Sequence, residues 1–184
     1  MASFATPADL GARLGITLTE DEQTRAQTLL DMATGLIRSE ARQTISLVED
    51  DVLTRTGSPG ALLRLPQRPV VSVASITLDG EALAADTWYR VGDELVRTRG
   101  HWGQPQQELV ITYDHGYDPV PQEVRVICLE AVVRVWVNPG SVSQEGYGSE
   151  QVSYPDAYGL LLLASEREVL RRAIGRGVGT VTLR

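Results

Sequence analysis

Lysine is absent from this chain: all 17 cationic residues are arginine, set against 24 acidic residues for a formal net charge of −7. A protein that grips nucleic acid by its phosphates needs a basic stripe to displace counterions, so this balance argues against that class. It is compatible with a surface past which DNA slides without sticking. The single cysteine, Cys128, rules out an intrachain disulfide, and its place on an apolar stretch predicts a small buried hydrophobe rather than a nucleophile. No apolar run approaches the ~20 residues of a bilayer span, and MASFATPADL has neither a basic region nor a hydrophobic signal core, so a soluble, non-secreted protein is expected. G-x-S-x-G, the Walker loop and H-E-x-x-H are all missing. Gly175-x-Gly177-x-Gly179 has no strand before it and no helix after it, which suits a hinge better than a phosphate cradle.

What is there is ordinary globular material, 184 residues with 42% apolar and 22% charged, enough for one domain around one core. Thr6-Pro7 opens a short helix that ends at Gly11 or Gly15. Thr19-x-x-Glu22 is a capping box, so a second helix starts near Glu20, with Ala26, Leu29, Leu30, Ala33, Leu36 and Ile37 on one stripe. Residues 44–114 read as β. Asp79-Gly80 and Gly92-Asp93 are hairpin turns, and the parity of apolar residues slips near Ser75, which predicts a bulge in one small antiparallel sheet. Leu109, Ile111 and Tyr113 then alternate as a half-buried strand that breaks at DHGYDP.

From Pro121 the pattern changes. Val124, Ile127, Cys128, Ala131, Val132, Val135 and Trp136 recur at helical spacing, and Val126, Leu129, Val133 and Val137 make the remaining sides apolar. A central helix over 120–138, buried nearly all round, is the expectation, stopped by Asn138-Pro139-Gly140. Residues 139–158 are rich in glycine and serine and read as a flexible loop whose Tyr147, Tyr154 and Tyr158 are candidate contacts to a partner. A capping box at Ser165–Glu168 announces a last helix over 159–174, with Val169, Leu170 and Ala173 on its apolar side. Its basic end, Arg171, Arg172 and Arg176, suits both the helix dipole and an acidic partner. The tail 175–184 carries Val178, Val181 and Leu183 with Arg184, an alternation suited to strand addition, and is the candidate docking element.

An enzyme would have to be built on His115 and Asp114, since His101 is the only other histidine. Asp-His-Gly-Tyr-Asp can supply at most two or three ligands of a metal site. The plainer expectation is an exposed His115, with Asp114 and Asp118 bonded to nearby turn backbone. Trp88, Tyr89 and Trp102 fall in or beside the hairpins, where sheet packing competes with contacts between subunits.

The turn DHGYDPVP leading into VRVICLEAVVRVWVNPG resembles the tailed-phage head-to-tail connector family, the adaptors that sit beneath the portal ring. TPADLGARLGI with TEDEQTRAQTLLDMATGLIRSEARQ looks like that family's opening, LLRLPQRPVVSVASITLDG like its inserted sheet, and Ser153-Tyr154 with LLLLASEREVLRRAI like its closing segment. The resemblance covers roughly the whole chain, and its motifs are structural. It implies a single α+β adaptor domain that forms a ring of twelve copies docked under the portal, in the neck of a virion assembled in the host cytoplasm. It further implies that the genome passes through without sequence-specific binding, that a stopper or tail-completion protein attaches below, and that no cofactor, metal or membrane is involved. The alternatives are another neck component, a stopper or tail-completion protein, or a small metal-dependent hydrolase using His115 and Asp114.

Overall fold

The computed structural model describes residues 2–138, 144–147, 150–153 and 159–175. They have an α+β fold, as expected, divided into two compact units, one formed by Met1–Arg42 with Pro121–Ala173 and the other built on Gln43–Val120.

The first unit is helical. Helix α1 spans Pro7–Leu14 and α2 spans Glu20–Ala41, each opened by a reciprocal cap. Thr6 Oγ1 accepts from the Asp9 N–H while Asp9 Oδ2 accepts from the Thr6 N–H at 2.8 Å, and Thr19 with Glu22 repeats the arrangement. These exchanges satisfy amide donors that helix geometry leaves without partners. Helix α1 ends at Gly15, whose φ of 71° lies in the left-handed region that glycine reaches without strain. Helix α2 buries Ala26, Leu30, Ala33, Thr34 and Ile37 and packs on helix α3, Gln122–Val137, which buries Val124, Ile127, Cys128, Ala131 and Val132. Between them the Thr34 hydroxyl takes the Phe4 N–H at 3.0 Å and faces the Cys128 thiol at 3.7 Å. Cys128 is the expected buried residue, and desolvation pushes its thiol up to about 11. Helix α4, Ala164–Ile174, buries Leu170. It starts one residue before Ser165, so the expected serine cap lies inside the first turn, and the Glu166 carboxylate alone reaches back to the Leu163 N–H at 2.8 Å.

The second unit holds two antiparallel sheets where the sequence suggested one. Strands β1 (Val48–Thr56), β3 (Val70–Leu78), β4 (Glu81–Ala82) and β7 (Glu108–His115) pair in the order β1-β7-β3-β4, while β2 (Leu62–Arg64), β5 (Trp88–Val91) and β6 (Glu94–Arg97) pair as β2-β6-β5. Both expected hairpins are present, and Asp79 and Gly80 take φ of 51° and 82°, the two positive values a type I′ turn needs. The register between β3 and β7 shifts between Val73 and Ser75, where the sequence parity slips. Leu109, Ile111 and Tyr113 of β7 point to one side and join Leu63, Leu65, Val70, Ile76, Leu95 and Trp102 in one apolar core. After β7 the chain turns at Gly116, φ 99°, where any Cβ would run into the Ser46 carbonyl.

The segment expected to be a loop contains a two-stranded ribbon, β8 (Gln144–Tyr147) with β9 (Glu150–Ser153). Its pairing is local, a two-residue connection between extended segments.

Candidate functional site

Helix α3 is not buried all round, contrary to what its composition suggests. Val126 is 46% and Val137 61% exposed, and Val133, Val135 and Trp136 are half-buried. The Trp136 ring is covered on one face by the Arg25 guanidinium, 4.6 Å from its centroid. Val169 of α4, expected on the apolar side, is likewise 39% exposed.

Val126 and Val169 belong to one feature. An open groove of about 440 Å³ is lined by Gln122, Glu123, Val126, Ile127 and Glu130 of α3 and by Ser165, Glu166 and Val169 of α4. Its floor is aliphatic and its borders carry three carboxylates. Two of these are already engaged: Glu130 pairs with Arg13 at 2.9 Å, and Glu166 holds Arg134 through two contacts of 2.7 and 3.0 Å. The second pair is well shielded, with side-chain exposures of 18% and 13%, and Arg134 also donates to the Leu161 carbonyl at 2.9 Å. A two-pronged, fully hydrogen-bonded pair of this kind fixes the orientation of its helices. Glu123, in the first turn of α3, suits the positive helix end.

Of the residues singled out in the sequence, Arg171 and Arg172 are 67% and 75% exposed at their side chains and contact Glu40 and Glu168 at 3.3 to 3.8 Å. Pairs so exposed contribute little to stability and leave the arginines available to a partner. Tyr147 lies on β8; Tyr154, Tyr158, Arg176, Val178, Val181, Leu183 and Arg184 lie outside the described residues. Trp102 is fully buried, donating from Nε1 to the Ala61 carbonyl at 2.8 Å, whereas Tyr89 is 49% exposed.

The metal alternative meets a geometric obstacle. His115 is buried, not exposed: it is 1% accessible, its Nε2 lies 3.0 Å from Asp51 Oδ2, and its ring tilts against Tyr113. Asp114, the preceding residue on the strand, points to the opposite face, where it accepts from the Asp50 N–H at 2.8 Å and the Ser72 hydroxyl at 2.6 Å. These bonds, to Ser72 first, hold its carboxyl below the ordinary range. They go to the flanking strands and not, as expected, to turn backbone. Among the described residues no three His, Cys, Asp or Glu side chains gather where they could share a metal ion.

Sequence reasoning missed the groove because it treated all-round apolarity as burial. The same pattern is also the signal of an apolar surface held for a partner.

Comparison with known proteins gives fold likenesses to components of phage-like particles. No family model matches the chain, and no curated protein does. Among solved structures, a chain from the neck of an empty GTA particle, computed with C6 symmetry, is similar with a TM-score of 0.58 at 17% identity, over 95% of this chain and 91% of that one. A chain from the neck of the native GTA particle, computed with C12 symmetry, gives 0.55 at 16% identity, over 93% and 88%. A chain from the virion of a native gene transfer agent particle gives 0.55 at 17% identity, over 97% and 94%. The chain thus shares a fold with them along nearly its whole length.

Proposed function

We propose that this protein is a structural component of a phage-like neck: a head-to-tail adaptor that assembles as a ring beneath the portal, lets the genome pass, and receives the stopper or tail. The observation that carries the reading is the near-complete fold correspondence with chains from particle necks that were computed with sixfold and twelvefold symmetry. The charge is in keeping with it, because a chain with a net charge of −7 and no excess of basic residues is poorly suited to gripping phosphates. The exposed arginines at the end of α4 and the apolar α3/α4 groove supply directional contacts of the kind a ring requires. Tyr147, Tyr154, Tyr158, Arg171, Arg172 and the segment 176–184 are the residues assigned to subunit and partner contact.

Removing the gene from a particle-producing strain tests the reading. DNA-filled heads and finished tails that fail to join, restored by supplying the chain in trans, are expected; normal particles, or an arrest before head filling, would contradict it.

A further inference from the structure

We infer that the α3/α4 groove is the seat for residues 176–184 of a neighbouring copy of this chain, an inference that rests on the ring reading above. The segment reads RGVGTVTLR: two arginines at its ends, aliphatic residues between them and no acidic residue, in a chain whose formal charge is −7. The groove presents Val126, Ile127 and Val169 as an aliphatic lining, with Glu123 at its border as the carboxylate not already paired with an arginine among the described residues of the protomer. In an extended segment Val181 and Leu183, two residues apart, fall on the same side and so meet an aliphatic floor together. Burying Val126 and Val169, 46% and 39% exposed in the protomer, gives those side chains the desolvation that the protomer alone does not.

The length of the segment allows it to reach beyond its own protomer. The described chain leaves α4 at the exposed Gly175, and nine residues reach at most about 30 Å beyond it. Groove and segment are different surfaces, so the contact is head-to-tail: each copy gives one segment and accepts one, and the chain of contacts ends only when a ring closes.

Cysteine pairing in assembled particles tests this, and the native thiol does not interfere, since Cys128 is fully buried. Two full-length variants, Val169→Cys and Val181→Cys, are co-expressed in a strain lacking the native gene, and the particles are oxidised and run on a non-reducing gel. A cross-linked dimer present in the mixture and absent from particles made with either variant alone is expected. Adding Val126→Glu to the groove variant should abolish that dimer while leaving the protomer's melting temperature unchanged. Particles that contain both variants yet give no mixed dimer would overturn the docking while leaving the neck reading intact. A chain carrying both cysteines that closes only within itself would do the same. Absence of the protein from otherwise complete particles would overturn both.

Discussion

Helices α2 and α3 pack against each other, but they spend their apolar residues differently. In α2 the apolar positions fall mainly on one stripe, where Ala26, Leu30, Ala33 and Ile37 are all buried, and Met32, 55% exposed, is the large apolar residue left in solvent among otherwise mostly polar sides. In α3 the buried set, Val124, Ile127, Cys128, Ala131 and Val132, equals in size that of α2 with Thr34 included, yet valines continue around the helix into solvent at Val126 and Val137. A side chain that the fold does not bury adds nothing to the protomer's hydrophobic stabilisation and raises the risk of nonspecific association. The excess on α3 is thus better explained by contacts made after folding than by folding itself.

If that contrast is right, substitutions should sort by which way a side chain faces. The largest loss is expected for Trp102→Ala, which empties a fully buried site and removes one of the two hydrogen bonds to the Ala61 carbonyl, leaving that from the Arg97 N–H; about 3 to 5 kcal/mol should disappear in denaturant unfolding. Glu166→Ala leaves the shielded Arg134 without its carboxylate, with the Leu161 carbonyl still accepting from it, and should cost about 3 kcal/mol, with α4 detaching first in hydrogen exchange. Cys128 supplies an alkaline test. Its folded value of about 11 lies above the usual 9, so its contribution is complete below pH 9 and is lost as pH rises towards 11; roughly 2 kcal/mol should fade over that window, and Cys128→Ala should flatten the decline. Trp136→Ala, in contrast to Trp102→Ala, should cost only about 1 to 2 kcal/mol, because the ring is half-buried beneath Arg25. Least of all, Val126→Ser should move stability by no more than about 0.5 kcal/mol while impairing incorporation into particles. A Val126→Ser protein that unfolds like Trp102→Ala would erase the distinction between the two sides of α3.

The features legible in the sequence are those decided within a few residues. The caps at Thr6 and Thr19 and the Asp79-Gly80 turn depend on neighbouring backbone donors and on which residues tolerate positive φ. The Ser75 bulge follows from a shift in parity along one strand. Features set by distant pairing were not legible. Two sheets replace one because β2 pairs with β6, some thirty residues away, and apolar alternation cannot say which strands become neighbours. His115 was expected outside because a polar residue beside a turn usually is; its burial depends on Asp51, which β1 brings across from the far end of the unit's sequence. The ribbon at 144–153 was obscured by its glycine and serine content, which lowers strand propensity without preventing local pairing. The groove was hidden for a different reason, since periodicity identifies apolar positions but not whether anything covers them.

The central claim is tested most directly by reconstructing the junction between head and tail in purified particles. A closed ring of copies of this fold directly beneath the portal, with the α3/α4 groove at the subunit boundary, is the predicted result. A complete neck built without this chain, or the chain found elsewhere in the particle, would contradict the account.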